Sequence, residues 1–161
     1  IGLIVDPEVA RQAHEAGVGA TIKAALGAKS GIPGDVPLEG EFVVEQLSDG
    51  RFVAPGPFFG GSRMNLGPCA ALRIGGVRIV VASRKAQMAD QAMYRQVGIE
   101  PTEQAILVNK SSVHFRADFE PIAHSIIVCA APGPMPVDPS VLPWKHLRPG
   151  LRTAPLGPVF G

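Results

Sequence analysis

Cysteine is scarce: Cys69 and Cys129 stand sixty residues apart, and neither belongs to a Cys-x-x-Cys pair. Two such thiols make no disulfide framework, so both are read as reduced and packed, and the setting as cytoplasmic. Charge is scarce as well, at 18% of residues against 46% apolar, which excludes a self-repelling, unfolded chain. The formal charge of +1 is not gathered into a stripe of Lys and Arg, which argues against nucleic acid as a partner. Long apolar runs are missing too. The longest, such as Ile79–Ala82, are strand-sized, so no membrane partner is expected. No charged stretch leads into a long apolar one, so the visible sequence holds no signal-peptide pattern.

What is present suggests one domain with a tail. A chain of 161 residues can bury a substantial core. It opens on Ile1, and Ile1–Val5 is already an apolar run of the kind buried on both faces of a sheet. A fold entered mid-core is what a fragment would show, so an N-terminal part of a longer parent is expected beside it. Asp6 is placed to cap a helix, Pro7 fits the first helical position, and Glu8 favours the positive helix end. Val9, Ala13 and Ala16 share one face, and Gly17 can close the helix. Gly19–Gly27 is expected as a strand and "AKSGIPGDVP" as a loop.

From Leu38 to Ser83 the pattern turns to hairpins. "EFVVEQL" and "RFVA" flank Ser48-Asp49-Gly50, "CAALRI" and "VRIVVAS" flank Gly75-Gly76, and "PGPFFGGSR" is a wide loop. Asp90 is expected to cap a short helix over Gln91–Val97 that Gly98 ends, and Ala105–Asn109 to form a strand. A helix from about Val113 to Pro121 and a last strand, His124–Ala130, complete the series. After Pro132 prolines dominate, so residues 132–161 are expected as an irregular tail anchored by Trp144, leaving 1–131 as the folded domain. The expected class is mixed α/β, with βαβ units sharing a sheet and a β-hairpin-rich layer or partial barrel between them.

Two glycine-rich stretches invite a nucleotide reading, and neither holds. "GVGATI" has Ile22 where a dinucleotide fingerprint needs a small residue, and it follows a helix instead of opening one. In "LGAKSG" Ala28 separates Gly27 from Lys29, which breaks the phosphate-loop pattern. "HEAGV" has Val18 where a zinc-binding His-Glu-x-x-His needs its second imidazole. His114, Glu120 and His124 straddle Pro121, so no metal site is assigned to this chain. No Gly-x-Ser-x-Gly elbow is present either.

One turn concentrates polar chemistry. "LVNKSSVHFRADFEPIA" brings Lys110, Ser111, Ser112, His114 and Arg116 to the end of an expected strand and the start of an expected helix. Several donors and two fixed cations at such a place suit a carboxylate, a phosphate or a developing oxyanion. The competing reading is a serine-capped helix with a solvated face, and the residues alone leave both open.

Several stretches in order carry a family likeness. "DPEVARQAHEAGVGATIKAALGAKSG", "LSDGRFVAPGP", "LGPCAALRIGGVRIVVASRKAQMADQAMYRQVGIEP" and "KSSVHFRADFEPIA" together resemble the C-terminal domain of the MlrC family, from Gly2 to about Ala131. These are zinc metallopeptidases named for microcystinase C, which degrades linearised microcystin. The resemblance implies a two-part enzyme whose larger N-terminal domain carries the zinc, so that zinc is expected in the parent and not in this piece. The Asp-Asn-Pro-Gly-Gly segment that precedes the first strand in the family is absent here, in keeping with a fragment that is inactive alone. The family's Lys-Ser-x-x-His-Phe-Arg pattern matches Lys110, Ser111, His114, Phe115 and Arg116. The implied role is an accessory wall: Lys110, Ser111, Ser112, His114 and Arg116 bind a peptide or amide substrate beside the N-terminal metal-binding domain. A purely structural or homo-oligomer-forming domain is the alternative.

Overall fold

Alternation along one hairpin organises the molecule. Strands β6 (Cys69–Ile74) and β7 (Val77–Ala82) pair antiparallel across Gly75-Gly76, from Cys69↔Ala82 to Ile74↔Val77. Successive side chains point to opposite faces. Cys69, Ala71, Val80 and Ala82 therefore enter one apolar cluster, and Ala70, Leu72, Ile79 and Val81 enter another. This is why the sequence shows short continuous apolar runs there instead of an alternating pattern.

The computed structural model describes residues 1–29, 31, 34–129, 138–154 and 156–159. Together with β1 (Ile4–Val5), β2 (Thr21–Leu26) and β3 (Leu38–Ser48), β6 and β7 form one mixed, curled sheet in the order β1-β7-β6-β3-β2, with β1 parallel to β7 and the other neighbours antiparallel. β3 carries a bulge between Val44 and Gln46, which adds local twist. The mixed α/β class stands, with sheet dominating. Among the described residues no helix is long and apolar enough to cross a membrane.

Helix α1 (Pro7–Ala16) forms as its residues require. Asp6 Oδ1 accepts from the Val9 amide at 3.2 Å, Pro7 opens the helix, and Gly17 closes it at φ 85°. Its buried face of Val9, Ala10 and Ala13 packs on the sheet with Phe42 and Ile22 of β2. β1 and β2 lie at opposite edges of the sheet, so α1 spans the face between them.

The Asp-Gly turn does not make the expected hairpin. β3 pairs with β2 and β6, whereas β4 (Arg51–Ala54) pairs with β5 (Ser62–Asn65) in a separate two-stranded sheet. Gly50, at φ 72°, turns the chain out of one sheet and into the other, against the carbonyl oxygen of Gly67. The wide 55–61 loop is thus the connection of the β4–β5 hairpin. Inward-facing Phe52 and Met64 cover the first cluster.

Three later expectations change. Among the described residues Ala105–Asn109 is not a strand and meets the sheet edge through one parallel bridge, Gly2↔Asn109. Helix α3 runs only over Arg116–Phe119 and passes into a 3-10 turn at Glu120–Ile122. The segment 124–129 is not a strand among the described residues, with Ile127 85% and Val128 72% exposed, and Ala130 lies outside them. Apolar composition suggested ladders in both segments, but a ladder needs a neighbour on the correct side. The short helix after Asp90 is present as α2 (Ala92–Arg95), with Asp90 Oδ1 accepting from the Ala92 amide at 2.8 Å.

The chain divides into two compact units, residues 1–30 with 36–126, and residues 31–35 with 127–161. The expected boundary at Ala131/Pro132 falls outside the described residues. Within the second unit, Trp144 is partly exposed and its indole N–H donates to Pro139 O at 2.7 Å, a local contact across five residues.

Candidate functional site

The segment 105–120 is held on the sheet by what it buries. Leu107, Phe115 and Phe119 turn into the first cluster, and Phe119 meets Tyr94 edge-on at 6.0 Å. Burying a side chain like Phe119 stabilises by about 2 kcal/mol. Tyr94 O–H donates to Asn109 Oδ1 at 2.9 Å, and Lys110 N–H donates to Gly2 O at 2.6 Å. Burial raises the Tyr94 phenol well above its usual range, so it stays protonated as a donor. Asp118 completes the clamp, its Oδ2 accepting from the Gln91 amide and its carbonyl from Gln91 Nε2, both at 2.6 Å.

This anchoring brings part of the polar set together around a residue that the sequence did not single out. Gln87 Oε1 accepts from Ser111 Oγ at 3.1 Å and from His114 Nδ1 at 3.0 Å. The His114 ring stacks on Phe58 of the β4–β5 loop at 4.1 Å and 26°. Lys110 is exposed and makes no ion pair among the described residues, and Ser112 is exposed. Arg116 stands apart from this group. Its Nη1 lies 3.5 Å from Glu120 Oε1 and its guanidinium is over the Phe115 ring at 5.6 Å.

The capped-helix picture of this turn is corrected in two respects. Ser111 does not cap α3, because its hydroxyl goes to Gln87; Phe115 occupies the cap position, with no side-chain hydrogen bond. A four-residue helix also has little of the dipole that the sequence argument assigned to it. An anion at this turn would meet side-chain charge and hydroxyls, not free helix amides. Gln87 was missed because it sits 24 and 27 residues from its partners, beyond any local pattern.

A second polar corner offers a contrast. Asp6, fully buried, accepts from Val9 N, from Gly27 N at 3.0 Å and from Lys29 Nζ at 2.9 Å, and Lys29 also reaches Glu8 at 3.0 Å. The two carboxylates, Asp6 first, raise the Lys29 amine above its ordinary value. Each Asp6 oxygen is occupied, so this corner closes the loop after β2 onto α1. The surface clefts nearby, lined by Glu8, Gln12, Lys23 and Lys29 among others, run along β2 at the sheet edge opposite the Gly2–Asn109 bridge. They contain none of the five sequence-derived residues.

Among the described residues no group of three or more His, Cys, Asp or Glu is arranged to hold an ion. His124 Nδ1 is 3.0 Å from Ser125 Oγ, and Glu120 is engaged with Arg116, so His114, Glu120 and His124 have separate partners. Burial pushes the Cys69 thiol up to about 11, where it is neither a thiolate ligand nor a nucleophile near neutrality.

Comparison with known proteins gives a consistent set of relatives. The family model described as "MlrC C-terminus" matches residues 1–146. Microcystinase C of Sphingomonas sp. is 30% identical over 131 residues, which are 81% of this chain and 25% of that protein. The crystal structure of a "Putative metallopeptidase" from Mesorhizobium sp. BNC1 is similar with a TM-score of 0.80 and 31% identity, over 90% of this chain and 29% of the other. The chain thus spans between a quarter and a third of the length of these relatives.

Proposed function

The chain belongs to the MlrC C-terminus family, and from that premise we propose that it forms one wall of a peptide- or amide-hydrolysing site in a longer metallopeptidase. In this reading the metal, zinc in the family resemblance, and its ligands lie in another part of the parent. That part would polarise the scissile carbonyl and activate water. Lys110, Ser111, Ser112, His114 and Arg116 would bind substrate, with Lys110 pairing with a substrate carboxylate or oxyanion. The observation that carries this reading is the Gln87 cluster itself: a bonded imidazole and hydroxyl beside an exposed amine with no acidic partner among the described residues. Apolar side chains exposed on the same segment, Ile106 at 79% and Val108 at 49%, suit contact with the remainder of the parent.

The test is turnover of a peptide substrate by the full-length parent. Lys110→Ala is expected to lower kcat/KM about 10-fold or more, as the loss of a charged hydrogen bond implies. Unchanged turnover in a folded variant removes Lys110 from the site. The second reading, a structural or oligomerisation domain, draws support from Arg116, which is paired within its own turn. It predicts that Lys110→Ala and Arg116→Ala both leave kcat/KM unaltered.

A further inference from the structure

A neutral imidazole carries one N–H and one bare nitrogen, and which is which decides what the ring can do. The amide oxygen of Gln87 can only accept. Its position 3.0 Å from His114 Nδ1 therefore requires the proton on Nδ1. The same oxygen also accepts from Ser111 Oγ at 3.1 Å, so both of its lone pairs are taken; an amide turned over would instead donate to both partners and put the ring proton on Nε2, and the two arrangements are told apart by the tautomer. Phe58, stacked at 4.1 Å, fixes the plane of the ring. Held on one face and at one nitrogen, His114 has a single direction left for Nε2, which has no partner among the described residues.

Resting on the reading of this face as a substrate wall, we propose that Gln87 is a positioning residue that holds His114 as the Nδ1–H tautomer, so that Nε2 accepts a hydrogen bond from an N–H of a peptide or amide substrate. The imidazole is then not an oxyanion donor. Negative charge falls to Lys110, while His114 reads the opposite polarity of the same amide group. This division of labour explains why a neutral acceptor and a bare ammonium stand four residues apart on one turn. Gln87 touches no substrate and acts through the ring.

The tautomer is read directly from the ring-nitrogen shifts of the 15N-labelled 161-residue chain, at about pH 8, above the ordinary imidazole range. His114 is expected to be protonated at Nδ1. Gln87→Leu, which removes the acceptor, is expected to move it toward the Nε2–H form; Gln87→Glu, which keeps an acceptor-only group there, is expected to preserve Nδ1–H. An Nε2-protonated His114 in the native chain overturns the proposal. So does an unchanged tautomer in a Gln87→Leu variant whose amide spectrum is native. With N-acetylalaninamide as probe, the Nε2 signal is expected to shift in the native chain and to stay put in Gln87→Leu; a stationary signal in the native chain overturns the acceptor role. The tautomer is measured without substrate, and Lys110→Ala leaves it unaltered. Failure of this assignment is thereby separable from failure of the wall reading, which parent turnover decides.

Discussion

Two polar corners of this fold are built from similar parts and end differently. At Asp6 a buried carboxylate meets two backbone amides and the Lys29 amine, and each carboxylate oxygen is used. At Gln87 an amide oxygen meets a hydroxyl and an imidazole, and the group remains open: Nε2 of His114 and the Lys110 amine have no partner among the described residues. The difference teaches how to separate structure from chemistry in a domain with several ionic clusters. A buried polar group whose bonds are all internal contributes stability, because leaving any one unmade costs its desolvation. A half-buried group that fixes the orientation of a neighbour while leaving that neighbour's outer atom bare contributes direction.

The contrast can be broken by substitution. Asp6→Ala removes a helix cap and leaves the Gly27 N–H without its acceptor, so it is expected to cost about 3 kcal/mol in chemical denaturation. A loss below about 1 kcal/mol would show that the closed corner is not the structural one. Gln87→Leu is expected to cost about 1 kcal/mol, since both of its partners are half-buried and can turn to water. If its cost matched that of Asp6→Ala, the two corners would be the same kind of object. Lys110→Ala should fall within about 0.5 kcal/mol of the native chain, as for an exposed side chain with no partner. A larger loss would make Lys110 part of the scaffold.

The smallest effect sharpens the boundary between scaffold and site. Arg95 bonds Glu100 at 2.7 and 2.9 Å, and together with Thr102 holds its carboxyl down to about 2, tying α2 to the turn that leads into 105–109. A carboxyl lowered in the folded state stabilises above its unfolded value, and the contribution is lost as pH falls through the folded one. The difference in Tm between the native chain and Glu100→Gln is therefore expected to be constant above about pH 5 and to vanish toward about pH 2. The pair is partly exposed, so the difference is small and shrinks further in salt. A difference that grew on acidification would reverse the assignment.

Legibility from sequence followed the range of the interactions. The Asp6-Pro7-Glu8 start, the Gly17 stop and the Gly75-Gly76 hairpin were readable because each is decided within a few residues. The Asp-Gly turn at Gly50 was readable as a turn but not as a hairpin, because β3 and β4 take partners from elsewhere. Lys110, Ser111, Ser112, His114 and Arg116 were visible as a polar concentration. That Ser111 and His114 share one acceptor while Arg116 turns to Glu120 was not visible, since Gln87 arrives from the loop that follows β7.

What the amino-acid order determined by itself is the list of local elements, the apolar runs of the double-faced sheet, and the family to which its motifs point. Caps and turns draw their energy from neighbours in the chain, so short windows contain them. Only the tertiary structure decided which strands pair, which corner is sealed, and which nitrogen of His114 is held. Those outcomes depend on groups some twenty to eighty residues apart, brought together by burial on the two faces of the sheet, and no local pattern encodes that meeting.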